Sequence, residues 1–132
     1  MATWVAVSPE AFFGKVVGRG QCVAFVRASA DAPHVSEWRR GESVHTAAEL
    51  PKGQAIATFD ADGRYSDRTG HAAILIARHA DGVLVWDQWK GHPVQQRVVR
   101  YRGGQGDPVN DADQFYVVTD DDTADGGLPP AT

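Results

Sequence analysis

Three consecutive segments with β-strand character constrain the fold more than any other part of the chain. They are His71–Ala77, Val83–Trp89 and Gln95–Tyr101. The first two are short apolar runs rich in β-branched residues, and the third alternates polar and apolar residues. Ala80-Asp81-Gly82 links the first two and suits a three-residue turn with glycine in the left-handed position. The pattern predicts an antiparallel meander that begins with a hairpin.

Helical patterns precede these strands. Ser8-Pro9-Glu10 is typical of a helix start and predicts a helix from Ala11 to about Val17. Its buried side would hold Phe12, Phe13, Val16 and Val17. A second helix is predicted from Gln21 to about Ala30. Shorter strands are expected at 54–59 and 114–119. Helices first and strands afterwards favour an α+β arrangement, with N-terminal helices on a small antiparallel sheet of about four to six strands.

Length and composition predict one soluble domain, residues 1–119, followed by a disordered acidic and Pro/Gly-rich tail at 120–132. The chain has 132 residues, 42% of them hydrophobic and 23% charged, with a formal net charge of −4. It has no basic block for nucleic acid and no apolar run for membrane insertion. The N-terminus lacks the features of a secretory signal. We therefore expect synthesis in the cytoplasm without a signal peptide, so that any export would use a non-classical route.

Cys22 is the only cysteine, which excludes an internal disulfide and a cysteine-rich zinc site. No paired histidine spacing supports a metal, so no cofactor is expected. Cys22 begins the second predicted helix, where the helix dipole stabilises a thiolate and lowers the pKa of the thiol. A lone cysteine is also a common small core residue. Cys22 is therefore a candidate nucleophile whose role depends on finding a base nearby.

His71 and Asp87 are the candidate base and acid. Odd-numbered residues of the hairpin share one face, which places His71 and Asp87 together and Gln88 on the other side. The three-residue turn, however, pairs His71 with Gly91 and leaves Asp87 roughly 13 Å away along the strand. Direct contact would need a bulge or a wider turn. Whether Asp87 or Gln88 orients His71 therefore stays open.

Other polar and aromatic residues complete the candidate site. The backbone N–H of Cys22 and the side chain of Gln21 are candidate donors to an oxyanion, with Gln88 as a further orienting residue. Trp89 and Trp38 are candidate substrate-binding residues, although a lid packed on the core is the simpler interpretation of Trp38. The remaining histidines are expected to be exposed on the surface; they are His34, His45, His79 and His92.

Over about residues 14–118, the chain resembles the CHAP and NlpC-type cysteine peptidase superfamily. Gly20-Gln21-Cys22-Val23 is similar to the CHAP nucleophile motif, and Gly70-His71-Ala72-Ala73-Ile74 to its Gly-His-x-Ala-Ile strand. Val85-Trp86-Asp87-Gln88-Trp89 resembles the strand that ends in Glu-Gln-Asn, with Asp87 at the acid, Gln88 at the glutamine and Trp89 replacing asparagine. Leu50-Pro51-Lys52-Gly53-Gln54-Ala55-Ile56 resembles the entry to the family's first strand.

The resemblance implies a papain-like fold and hydrolysis of a peptidoglycan amide through an acyl-thioester. Cys22 would attack, His71 would transfer the proton and Asp87 would hold the imidazole. The substrate would be a peptidoglycan stem peptide. Free-standing domains of this kind look like interbacterial amidase effectors, including those of type VI secretion systems. This likeness implies a cognate immunity protein as a candidate partner, and secretion to act in a target-cell periplasm or wall. Phage lysins are the next alternative. A non-enzymatic binding module and a protein deamidase or transglutaminase are the rival functions.

Overall fold

The computed structural model describes residues 2–120, so the predicted tail lies almost entirely outside the described residues. One α-helix, α1 (Cys22–Ala30), precedes a mixed-length antiparallel sheet. The six strands are β1 (Arg39–Ser43), β2 (Ala55–Ala57), β3 (Ala72–His79), β4 (Gly82–Trp89), β5 (His92–Arg100) and β6 (Tyr116–Thr119). Their spatial order is β1-β6-β2-β3-β4-β5. The α+β class and the antiparallel meander are confirmed.

The sheet has a hydrophobic cluster on each face. Phe25 and Val26 of α1 pack with Ile74 and Trp86 on one face. On the other face, Leu75 and Val85 pack beneath loop residues that include Val44 and Phe115. Helix α1 packs against β3 and β4, and its first residue, Cys22, lines the same cleft as His71, which directly precedes β3. This packing brings the two candidate motifs at Cys22 and His71 to one region of the surface.

The predicted helix at 11–17 is wrong. Only a short 3-10 turn forms, at Pro9–Phe12, and Phe13 and Val16 are 63% and 62% exposed. Gly14 has φ 78°, a left-handed conformation that ends helical geometry. The N–H of Gly14 donates to the carbonyl of Val94 on the edge strand β5. Pairing with a free strand edge thus replaces the intrahelical bonds.

Strand β1 was not predicted, because its residues lie in the polar stretch at 34–53. It pairs with β6, and β6 itself pairs with β2, so the last described strand lies inside the sheet. Propensity gives little indication of β1, since Arg39-Arg40-Gly41-Glu42-Ser43 contains no apolar residue. Long-range pairing with β6 forms this strand.

The β3–β4 hairpin has a tighter turn than predicted. His79 pairs with Gly82, which leaves a two-residue loop, and a bulge between Leu75 and Ala77 shifts the register once more. Each change moves the pairing by one residue, so Ile74 lies opposite Trp86. The two changes together shift the pairing by two residues. Because side chains alternate between faces with a period of two, the residues predicted to share a face still do so. The expectation of a bulge is confirmed, whereas a wider turn is wrong.

Candidate active site

Cys22 is the first residue of α1 and is partly buried at the floor of a surface cleft. Gln21 before it is extended, and its carbonyl accepts a hydrogen bond from Ala24 N–H. The first N–H groups of a helix have no intrahelical acceptor, so the Cys22 N–H is available to a ligand in the cleft. The predicted placement of Cys22 at a helix start is confirmed.

His71 directly precedes β3, and two hydrogen bonds to Thr58 fix its backbone. Its N–H donates to Thr58 Oγ1 at 3.0 Å, and its carbonyl accepts from Thr58 N–H at 2.9 Å. The side chain is 4% exposed, and its Nε2 lies 2.8 Å from Oδ2 of the fully buried Asp87. Because Nε2 is bonded to Asp87, Nδ1 is the ring nitrogen left for Cys22. The structure thus brings Asp87, and not Gln88, to His71.

Cys22 and His71 shift each other's pKa. Burial raises the pKa of the Cys22 thiol. The hydrogen bond and positive charge of His71, together with hydrogen bonds from Tyr65 and the Ala72 backbone, outweigh burial, so this pKa lies below its ordinary value. Burial lowers the pKa of His71, whereas hydrogen bonds to Asp87 and Cys22 raise it more, to about 9. Opposite shifts of this kind favour a thiolate–imidazolium pair at neutral pH.

Gln88 lies on the opposite face of β4 from Asp87, as the alternation predicted. Its side-chain amide is fully buried and forms hydrogen bonds with the backbone of the loop before α1. Nε2 donates to the carbonyls of Val17 and Gln21 at 2.9 and 2.8 Å, and Oε1 accepts from Val17 N–H at 3.0 Å. Gln88 therefore positions the backbone that leads into Cys22, and it has no contact with His71.

Trp38 does not line the cleft, so its prediction as a substrate-binding residue is wrong. Its side chain is 0% exposed, and its indole N–H donates to the carbonyl of Pro33. The ring packs edge-on against Tyr65, with the centroids 5.1 Å apart. Trp38 is the packed lid of the alternative interpretation, and it supports Tyr65 from behind.

The cleft has a volume of about 420 Å³, and its walls come from α1, the loop before β3 and the β4–β5 turn. Gln21, the candidate oxyanion donor, and Trp89, the candidate substrate-binding residue, both line it. Trp89 also approaches His71 edge-on, with the ring centroids 6.3 Å apart. Two exposed cations, Arg27 and Lys90, line the same cleft.

Comparison with known proteins defines the family. The family model described as domesticated amidase effector 2 matches residues 2–118. The chain belongs to this family. It is 37% identical over 117 residues to "Domesticated amidase effector 2" of Ixodes scapularis, covering 83% of this chain and 80% of the relative. Membership confirms the predicted amidase effector and its assignment as an amide hydrolase.

Two further comparisons agree. A "Type VI secretion amidase effector 2 protein" of Salmonella typhi is 33% identical over 86 residues, which are 64% of each chain. The solved structure of "Type 6 secretion amidase effector 2" superposes with a TM-score of 0.77 at 26% identity, covering 89% of this chain and 94% of that one. The type VI secretion effector family and the α+β architecture are therefore supported by relatives in both sequence and structure.

Tyr65 is a member of the site that the sequence did not reveal. Its hydroxyl lies 3.5 Å from Cys22 Sγ. Burial raises the pKa of Tyr65 and the negative charge of Cys22 raises it further, so the hydroxyl keeps its proton and donates to the sulfur. Gly70 makes room for this ring, since a Cβ there would lie 2.7 Å from Tyr65 Cε1. The motif glycine before His71 was the one sequence signal of this contact.

Arg97 is a second residue near the site that the sequence did not reveal. The guanidinium reaches the buried carboxylate, with Nε 2.9 Å from Asp87 Oδ2. It also lies over the Trp89 ring, 5.5 Å from the centroid. The predicted meander places β5 beside β4, but alternation alone does not determine the register that brings Arg97 to Asp87.

Within residues 2–120, no helix is long and apolar enough to cross a bilayer. The same residues contain no cluster of three or more histidine, cysteine or acidic side chains suited to a metal ion.

His34 is exposed as predicted, yet it lies at the cleft rim, where its Nδ1 accepts a hydrogen bond from Ser36 N–H.

Proposed function

We propose that this chain is a papain-like cysteine amidase of the CHAP/NlpC type that cleaves an amide of a peptidoglycan stem peptide. The observation that carries the proposal is the Cys22–His71–Asp87 arrangement at the cleft floor. A thiol of lowered pKa, a histidine of raised pKa and a buried carboxylate bonded to that histidine are the parts that thiol-dependent acyl transfer requires.

The reaction proceeds in two steps. The Cys22 thiolate attacks the amide carbonyl carbon, and the tetrahedral oxyanion accepts hydrogen bonds from the Cys22 N–H and the Gln21 amide. His71 gives its proton to the nitrogen as the C–N bond breaks, which releases the amine and leaves a thioester on Cys22. A water molecule then loses a proton to His71 and attacks the thioester. The carboxylic acid leaves, and the thiolate–imidazolium pair is restored.

Asp87 holds the His71 ring in this scheme. With Nε2 bonded to the carboxylate, the ring presents Nδ1 to Cys22 and to the leaving nitrogen. Tyr65 donates to the resting thiolate and Trp89 covers the open side of His71. The Cys22 environment supports an enzyme over a binding module, because an inert core cysteine would have no such charge partners.

The charge of the cleft suits the substrate. Stem peptides carry free carboxylates, and Arg27 and Lys90 line the cleft without a hydrogen bond or ion pair to any residue in the range 2–120. Asp67 also lines the cleft and could meet an amine of the peptide. We propose that the two cations bind carboxylates beside the scissile amide.

We also propose that the protein is exported through a type VI secretion system into the periplasm of a target cell. A cognate immunity protein would bind it and block the cleft. Effector relatives with that printed description support the route. An immunity protein would be recognised as a protein that binds the purified chain and stops its activity.

Purified sacculi provide the deciding experiment. Wild type should release soluble muropeptides with new amine and carboxyl ends, identified by mass spectrometry, whereas Cys22→Ala and His71→Ala should release none. His79→Ala, an exposed histidine at the end of β3, is the matched control and should keep full activity. Undiminished release by Cys22→Ala would refute the mechanism. Ammonia release from a glutamine-containing protein without muropeptides would point to a deamidase.

A further inference from the structure

Arg97 contacts the candidate acid from the side opposite His71. Its Nε and one terminal nitrogen both lie 2.9 Å from Asp87 Oδ2. The other terminal nitrogen donates to Asn110 Oδ1 at 3.0 Å, and a further bond reaches the Val109 carbonyl at 3.2 Å. One guanidinium thus connects the carboxylate to the 3-10 turn at Pro108–Asn110.

Strand register explains why His71 and Arg97 meet the same carboxylate. Asp87 pairs with Gln95 of β5, and the Ile74–Trp86 register places it opposite Ala73. His71 and Arg97 are then diagonal neighbours of Asp87 on its two sides, within reach of long side chains. The three side chains form a row across β3, β4 and β5 on one face of the sheet.

The Asp87 carboxylate depends on His71 and Arg97 for its hydrogen bonds. Asp87 is 0% exposed, and its Oδ1 has no hydrogen-bond partner among the described residues. All of its polar contacts therefore pass through Oδ2, which His71 and Arg97 share. A buried charge is costly unless it is paired, and His71 alone would leave it unpaired whenever the imidazole is neutral.

We propose that Arg97 is a positioning residue of the amidase, which holds Asp87 Oδ2 in place and supplies the permanent positive charge that this buried carboxylate requires. The proposal rests on the proposed function only in taking His71 as the base. Arg97 itself does not reach the cleft that holds Cys22, since it lines a separate hollow beyond Trp89 and His71. It acts on the reaction through Asp87.

The proposal predicts the direction of change in the pKa of His71. The ionisable groups facing His71 are Cys22 of α1, Tyr65 of the preceding loop, Asp87 of β4 and, through Asp87, Arg97 of β5. If Arg97 holds the carboxylate, its loss frees Asp87 and the His71 pKa falls. If Arg97 acted only as a competing cation, its loss would raise that pKa.

The test compares Arg97→Met with Arg100→Met, a control on the same strand that breaks only an exposed pair with Asp81. The His71 imidazole is titrated by NMR, and kcat and KM are measured on muropeptides. Arg97→Met should lower the His71 pKa and reduce kcat about 10- to 100-fold with little change in KM, which is the range for loss of a residue that orients a functional ligand. Arg97→Lys should recover part of the His71 pKa and part of kcat, because a lysine ammonium supplies the positive charge but not the paired N–H donors of a guanidinium.

Asn110→Ala keeps the test decisive if Arg97→Met does not fold. This exposed change removes one anchor of the guanidinium and should shift the His71 pKa and kcat in the same direction by a smaller amount. An unchanged or raised His71 pKa in folded variants would overturn the proposal. Because the titration needs no substrate, failure of the peptidoglycan assignment would leave this result unaffected.

Discussion

Nε2 of His71 lies 2.8 Å from Oδ2 of Asp87, although a hairpin with a three-residue turn would separate the two positions by roughly 13 Å. The two-residue turn and the bulge in β3 each advance the register by one residue. Asp87 thereby becomes a diagonal neighbour of His71 on the same face. The bulge is thus part of the site's construction, since it determines which carboxylate the histidine meets.

Replacing Asp87 with asparagine should separate orientation from charge. Asp87→Asn keeps the size of the side chain but removes the negative charge that stabilises the His71 imidazolium, so the His71 pKa should fall below about 9. The rate of muropeptide release should drop about 10²- to 10⁴-fold. The control is Asp81→Asn at the exposed hairpin turn, and equal activity of the two variants would contradict the role of Asp87.

Activity should follow a bell-shaped pH profile. The acid limb reports formation of the Cys22 thiolate, which the lowered pKa places below the ordinary thiol range. The His71 pKa is raised, so its imidazolium is present at neutral pH and is lost as the pH rises through about 9. The basic limb of kcat/KM should lie near that pH. A profile that keeps rising above pH 10 would exclude the imidazolium as the general acid.

Tyr65→Phe should raise the pKa of the Cys22 thiol, because it removes a hydroxyl that donates to the sulfur at 3.5 Å while keeping the ring packed on Trp38. Thiolate absorbance during a pH titration measures the shift directly. We expect about a 2- to 10-fold loss of activity near neutral pH, in line with one hydrogen bond to a charged group. Tyr116→Phe, remote from Cys22, should change neither quantity.

Gln88→Leu should destabilise the loop before α1. The change leaves two carbonyls and one N–H of Val17 and Gln21 without their buried partner, which should cost about 2 kcal/mol of unfolding free energy. Denaturant unfolding would measure this loss, with the exposed Gln96→Leu as control. Alkylation of Cys22 should become less selective, since its backbone is no longer fixed. An unchanged unfolding free energy for Gln88→Leu would show that the amide contacts do not stabilise the fold.

Charge reversal in the cleft should weaken substrate binding. Arg27→Glu and Lys90→Glu should each raise KM about 10-fold and leave the intrinsic reactivity of Cys22 toward a small neutral alkylating agent unchanged, as expected for lost uniform binding. Lys52→Glu, an exposed cation outside the cleft, is the matched control. Stem peptides with amidated carboxylates should bind wild type more weakly, and equal KM values for both peptides would argue against carboxylate recognition.

The sequence by itself determined the elements with strong local patterns. The α1 helix and the β3–β5 meander follow from apolar spacing and turn residues, and Cys22, His71 and Asp87 stand out as chemically unusual residues within them. Alternation along β4 also predicted that Asp87 and Gln88 point to opposite faces. These features depend on periods of 2 and 3.6 residues, which any single chain displays.

Tertiary structure decided everything that depends on residues distant in sequence. The segment at 11–17 has a helical pattern but pairs with the edge of β5, and β1 forms because β6 lies beside it. The contacts of Tyr65 with Cys22 and of Arg97 with Asp87 join positions from different elements. A shift of one residue in a turn changes every such neighbour while leaving local propensity the same. For this reason the sequence identified the candidate site residues, and only the fold determined which of them meet.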